Sequence, residues 1–410
     1  MTITTGQARR HRRRGFGQIF ALSVSAGLLS VGLAAGTARA ADEIIIGASI
    51  PLSGPLAGFG SYEQWGYKRA VDEVNRVGGI LVDGKKRQVK LIIRDDKTDP
   101  NVTASNTETL IGRDGAIAML GSCTPPLVNA GALVAERRKI PIVTACAPLE
   151  SFKAAHKWTY AWDLFFHEPD LASAPFKLVK DLGAQTNKKI AILHENGPDG
   201  QVVGGQVWPG LAKDAGYEVV QNASFPLDNT QFNSTIAEAK SKGAEIVLIM
   251  AITPQAVAIR KQMAAAGYSP KILVIEKGAE PVQFAEALGK LAEGVMVGGY
   301  WDRSFPFPGA ADLAKAFETE TKQTSSQHIA DTYAAAQVLL DAIAAAGSTN
   351  AEKINAAIAQ TDKTYVVGPV KFDENHTAKL PMVEMQWQNN KQVIVWPKAQ
   401  ATGTFLFPAP

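Results

Sequence analysis

The chain has 410 residues, 46% of them hydrophobic and 20% charged, with a formal net charge of +3 and only two cysteines. That length is too great for one small domain and suits two, each with its own core. Six arginines and no acids fall within residues 1–40, so the rest of the chain is net −3. With no lysine or arginine cluster, it gives no support for binding nucleic acid or an anionic membrane.

Residues 1–40 read as an export signal. Arg9, Arg10, Arg12, Arg13 and Arg14 form a basic start, residues 17–36 an apolar run, and Ala38-Arg39-Ala40 a small-residue cleavage site before Ala41. The uninterrupted apolar part is short for a membrane span of about 20 residues. Arg13-Arg14-Gly15-Phe16 has the look of a twin-arginine signal, and either export route ends outside the cytoplasm. No cysteine follows the cleavage site at which a bacterial lipid anchor could attach.

After Ala41, strand-like and helix-like segments alternate. EIIIGASI (43–50) opens the series, a loop SGPLAGFG (53–60) follows, and then a helical pattern runs over 61–77. QVKLIIRDD (88–96), AIAMLGS (116–122), IPIVTA (140–145), KKIAILHE (188–195), EVVQNASF (218–225), EIVLIMA (245–251) and KILVIEK (271–277) are the further strands. Most are apolar throughout rather than alternating, the mark of parallel strands covered on both faces by helices. Helical patterns separate them, and those over 256–267 and 328–347 end in glycine as helices commonly do. The fold class is α/β, doubly wound, and ligands of such sheets gather at the carboxyl ends of the strands.

Glycine and polar residues concentrate at those ends. SGPLAGFG, DDKTDP, GSCTPP and TACAPLE make one rim; HENGPDG, AITPQ and EKGAEP make another. Two rims imply two lobes facing across a cleft. Cys123 and Cys146 end successive strand-like runs, so a parallel sheet would hold them at the same edge of neighbouring strands. A disulfide and a pair of small buried thiols are both open readings.

The stretches IIIGASIPLSGPLAGFGSYEQWGYKRAVDEVNRVGGI, RDDKTDPNVTASNTETLI, GSCTPP, RKIPIVTACAP, KKIAILHE, QMAAAGY and YVVGPVKFDEN resemble the periplasmic leucine/isoleucine/valine-binding proteins, the solute receptors of ATP-driven importers. The resemblance spans the mature chain. It implies a periplasmic, monomeric receptor that binds a small organic or amino acid and docks on a membrane permease, with no cofactor and no metal. It also implies two lobes, 41–163 with 301–382 and 164–300 with 383–410, joined by three crossovers that act as a hinge.

Carried over residue by residue, the resemblance implies a site made from Phe59, Ser122, Cys123, Thr124, Cys146, Ala147, Pro148, Trp162, Phe165, Asp199, Ile252, Thr253, Glu276, Lys277 and Tyr300. Phe59 stands where an aromatic packs on the ligand. Ser122, Thr124 and the amides of Cys146 and Ala147 match the groups that hold a ligand carboxylate, although Pro148 replaces a common hydroxyl. Asp199, Ile252 and Thr253 replace aromatics, so stacking partners are expected from the crossovers: Trp162, Phe165 and Phe166 in one, Tyr300, Trp301 and Phe305 in another. Lys277 aligns with the acid that pairs with a ligand ammonium, and a one-residue slip puts Glu276 there instead; neighbours on an extended segment face opposite sides, so only one is expected to face the ligand. Lys277 implies a carboxylate without an α-ammonium, aromatic or aliphatic. Glu276 implies a branched-chain or other amino acid. A ligand sensor for a signalling receptor is a third reading, since one fold serves both roles.

Nothing points to catalysis. The chain lacks G-x-S-x-G, G-x-x-x-x-G-K-[ST], H-E-x-x-H and C-x-x-C. Its histidines are dispersed, and the acidic run RDDKTDP is only loosely like a metal-binding loop.

Overall fold

Isoleucine, valine and leucine runs that are buried on both faces form the centres of two sheets in the computed structural model, which describes residues 43–410. The expected signal segment and its cleavage after Ala40 lie outside the described residues. The first sheet contains β1 (Ile44–Ile50), β2 (Val89–Asp95), β3 (Ala118–Leu120), β4 (Ile142–Thr144) and β5 (Ala161–Phe165). The second contains β6 (Lys189–Glu195), β7 (Glu218–Phe225), β8 (Ile246–Ala251), β9 (Ile272–Lys277) and β10 (Met296–Gly299). Three late strands complete them: β11 (Thr377–Lys379) joins the first sheet, β12 (Val383–Gln388) and β13 (Lys391–Trp396) the second.

The orders are β11-β5-β4-β3-β1-β2 and β13-β12-β10-β9-β8-β6-β7. Pairing in both sheets is parallel except that β12 runs antiparallel to its two neighbours, β10 and β13. The chain therefore passes between the sheets three times: after β5, after β10, and between β11 and β12. β7 is less apolar than the other long strands, and it occupies the edge position where one side of the ladder stays open. The C-terminal tail is tied to the second sheet and the loop before β9. Leu406 exchanges hydrogen bonds with the Gln386 side chain, and the Ala409 N–H donates to the Lys271 carbonyl.

Helices cover the sheets: α1 (Ala57–Arg76), α2 (Pro100–Gly112), α3 (Pro125–Arg138), α4 (Glu168–Asp181) and α5 (His328–Ala346) among them. α2 starts where Asp99 accepts from the Asn101 N–H and Pro100 supplies a preset φ. α5 is long and apolar enough to cross a membrane, but it is the buried core helix packed along α1. Gly347, left-handed at φ 56°, closes it.

One boundary differs from the sequence expectation. α1 begins at Ala57, four residues early, so half of the loop read at 53–60 is the first turn of a helix. Two glycines in AGFG argue against helix on propensity alone, yet a Cβ on Gly60 would lie 2.0 Å from the Pro51 carbonyl oxygen. Gly60 thus lets the helix begin directly against the end of β1. Two residues on, the Tyr62 hydroxyl accepts from the Val282 N–H at 3.0 Å and so bridges to the helix that follows β9.

Gly60→Ala is expected to cost about 1–3 kcal/mol of stability, since neither contacting group is a flexible side-chain end. Gly210→Ala, in a helix where nothing lies within 4 Å of the new Cβ, should instead add up to about 1 kcal/mol. Urea denaturation of the two variants beside the parent checks both.

Candidate functional site

The carboxyl ends of β3, β4, β6, β8 and β9 and the start of α1 converge on one cavity. Cys123 and Cys146, which follow the neighbouring strands β3 and β4, are joined by a disulfide with Cα atoms 4.8 Å apart. The Thr124 N–H donates to the Cys146 carbonyl at 3.0 Å and holds the two loops together beside it. Gly121 permits this approach, because a Cβ there would sit 2.5 Å from the Thr144 methyl.

Most of the wall is apolar: Phe59 from α1, Pro148, Phe165, Phe166, Leu171 from α4, Val203 and Met250. α3 opens towards this cavity, but its N-terminus has little to offer an anion. Pro125 and Pro126 have no N–H, and those of Leu127 and Val128 already donate to the Thr124 carbonyl.

The polar part of the wall is made by Thr124, Asp199, Glu276, Lys277 and Glu280. Lys277 Nζ donates to Asp199 Oδ2 at 2.8 Å and to Glu195 Oε1 at 3.2 Å, with both carboxylates buried. Burial alone would depress the lysine's pKa; the attraction of the two acids outweighs it and holds the group above its ordinary value. Burial pushes Asp199 up and Lys277 more than reverses this, leaving it below the usual range. Glu195 rises to about 7, because burial and the nearby Asp199 charge exceed the pull of Lys277. The trio is close to neutral, and Lys277 has no surplus charge for a ligand.

Glu276 differs. Its Oε2 accepts from the Gly298 N–H at 2.9 Å, its Oε1 has no hydrogen-bond partner among the described residues, and burial pushes it up to about 8. Gly298 pairs in register with Glu384, and a Cβ there would press on Glu276 Oε2 at 3.0 Å. Glu280 and Glu384 are likewise held well above the carboxylate range, first by burial and then by the Glu276 charge. The cavity therefore faces carboxyl groups whose ionisation awaits a compensating charge.

Nine of the residues expected at the site line this cavity: Phe59, Cys123, Thr124, Cys146, Pro148, Phe165, Asp199, Glu276 and Lys277. Strand alternation puts only one of Glu276 and Lys277 on the cavity side, yet both line the cavity. Lys277 adopts φ 65°, which breaks the strand alternation and turns both side chains to the cavity.

Six others lie elsewhere. Ser122 donates to Asp96 at 2.7 Å. Ala147 is buried behind the wall. Trp162 stacks on His376 at 3.6 Å and donates to Asn355. Ile252 lines the outer cleft beyond Lys277, and Thr253 begins the helix after it. Tyr300 packs behind Phe165 and Phe166. Trp301 and Phe305 are likewise buried in packing, Trp301 donating to the Val366 carbonyl. Among the wall residues not expected are Leu171, Val203, Met250 and Glu280. Met250 and Glu280 stand at or after strand ends, a signal the sequence offered; Leu171 and Val203 are ordinary helix apolars that only packing singles out.

Lys277→Met is expected to destabilise the protein by about 3–5 kcal/mol, since it leaves Asp199 and Glu195 buried without a cation. Glu195→Gln keeps the shape and removes a carboxyl that is already half protonated near pH 7, so it should cost less. Chemical denaturation at pH 7 compares the two.

A family model described as periplasmic binding protein matches residues 43–392. The Leu/Ile/Val-binding protein homolog 7 of Brucella suis biovar 1 (strain 1330) is 28% identical over 410 residues, covering 95% of this chain and 99% of its own. The fold is similar to that of the branched-chain amino acid transporter substrate-binding protein LivJ from Streptococcus pneumoniae, solved with isoleucine: TM-score 0.75 at 22% identity, over 85% of this chain and 97% of that one. It is also similar to a solute-binding protein of an ABC transporter from Rhodopseudomonas palustris BisB5, solved with 3,4-dihydroxybenzoic acid: TM-score 0.71 at 19% identity, over 85% and 93%.

Proposed function

The chain belongs to the periplasmic binding protein family, and from that premise we propose that it is the periplasmic receptor of an ABC importer for a small ligand with an amino group on an apolar body. Branched-chain and aromatic amino acids fit this description. The lobes, 41–163 with 301–382 and 164–300 with 383–410, close on the ligand about the three crossovers and present the closed form to the permease.

One observation carries the choice of ligand: Lys277 is neutralised by Asp199 and Glu195, while Glu276 lines the same cavity with one carboxyl oxygen unpartnered among the described residues. An ammonium supplies what that carboxyl lacks, and the apolar wall suits the side chain. The relatives named for leucine, isoleucine and valine support the reading. A carboxylate without an amino group, the leading expectation from Lys277, keeps the support of similar proteins solved with aromatic acids, 3,4-dihydroxybenzoic acid and benzoate.

The two readings move protons in opposite directions. At pH 7 Glu276, with its pKa near 8, is mostly protonated. An ammonium stabilises the ionised form, so binding releases up to about one proton per ligand. A carboxylate on the same group retains that proton or takes one up. Calorimetry of the mature protein with leucine, isoleucine, valine and phenylalanine, and with their deaminated acids, in two buffers of different ionisation heat, measures the exchange. Amino acids should bind with proton release, and Glu276→Gln should weaken them by about 1.5–3 kcal/mol. Binding of the deaminated acids alone would overturn the assignment and return the anion to Lys277.

A further inference from the structure

The disulfide in the cavity wall has a third neighbour. The two sulfur atoms and one ring nitrogen of His328 all lie within 4.8 Å of one another. His328 begins α5 and is fully buried, and its ring meets the edge of Phe59 with centroids 5.3 Å apart. Its Nδ1 is 2.8 Å from Asp331 Oδ2 and 3.3 Å from the Tyr300 hydroxyl. Its Nε2 has no hydrogen-bond partner among the described residues. A buried imidazole whose Nδ1–H is held by a carboxylate presents a fixed lone pair at Nε2, the arrangement that orients histidine ligands on metal ions. Two sulfurs beside such a nitrogen form a soft donor set, suited to Cu(I) or Zn(II) rather than to a hard oxygen-seeking ion.

We propose that Cys123, Cys146 and His328, once the disulfide is reduced, form a three-donor site for a single thiophilic metal ion, open on its remaining side to the ligand cavity. Cys123 and Cys146 both line that cavity, which gives the ion its path in. The chemistry balances with a dithiol as reductant. Its two thiols become its own disulfide, their two hydrogens leave Cys123 and Cys146 as thiols, and each thiol gives its proton to solvent as the sulfur–metal bond forms. Oxidation of the pair removes both thiolate donors, so the oxidised protein has no such site. Asp331 is a positioning residue, acting on the metal only through His328. The proposal is independent of which organic ligand the cavity takes.

The test uses the mature protein, reduced and desalted without oxygen, then titrated with Cu(I) against a chromophoric chelator and separately with Zn(II). One equivalent of at least one of these ions should bind to the reduced protein and none to the oxidised protein. Cys123→Ser should abolish the site, and His328→Gln should lower the affinity at least about tenfold. Asp331→Asn should lower it about 10- to 100-fold. X-ray absorption of the loaded parent should show two sulfurs and one nitrogen, with the nitrogen lost in His328→Gln. Thermal melts of the oxidised variants establish that they fold; should His328→Gln fail there, Asp331→Asn carries the comparison. Absence of stoichiometric binding, equal binding by oxidised protein, or affinity unchanged in the folded variants would overturn the site.

Discussion

The burial of Lys277 between Asp199 and Glu195 sets the electrostatics of the whole cavity. A lone lysine at that place would make the wall an anion trap; with two acids on it, the charge is internally satisfied. The local backbone is built around this arrangement. Lys277 occupies a left-handed conformation, and Gly278 follows it where a Cβ would meet the Ala251 carbonyl at 2.7 Å. Gly200 lies over Glu195, where a Cβ would come within 2.1 Å of the backbone oxygen. Three loops from three strands are thereby drawn together around one ammonium.

With that charge balanced, the remaining acids define the chemistry. Glu276, Glu280 and Glu384 occupy neighbouring positions on or beside the central strands of the second sheet, and burial favours their neutral forms. Gly298 donates its N–H to Glu276, pairs in register with Glu384, and leaves room where a side chain would press on Glu276. This acidic part of an otherwise apolar wall favours its uncharged form, because burial penalises the carboxylates.

Much of the architecture was legible in the sequence because it depends on local signals: unbroken apolar runs for parallel strands, glycine after helices, polar loops at strand ends. The family resemblance brought Phe59, Thr124, Asp199 and Glu276 to one cavity, and the ends of successive strands put the two cysteines side by side. It failed where distant backbone decides the outcome. The start of α1 at Ala57 depends on Gly60 fitting against Pro51, and no propensity scale contains that contact. Glu276 and Lys277 were treated as exclusive because strands alternate, and one left-handed residue cancels the rule. Trp162 looked like a stacking partner, but His376, more than 200 residues away, takes its face.

The first turn of α1 couples two of these features. Phe59 touches the cavity and Tyr62, three residues later on the same helical face, accepts the hydrogen bond from Val282 beyond β9. Separating the two sheets at this point means breaking that bond. A side chain of the cavity wall and a side chain that fastens the opposite sheet thus ride on a single turn, fixed at its base by Gly60. The position of the wall at Phe59 and the closure of that hydrogen bond are therefore not independent.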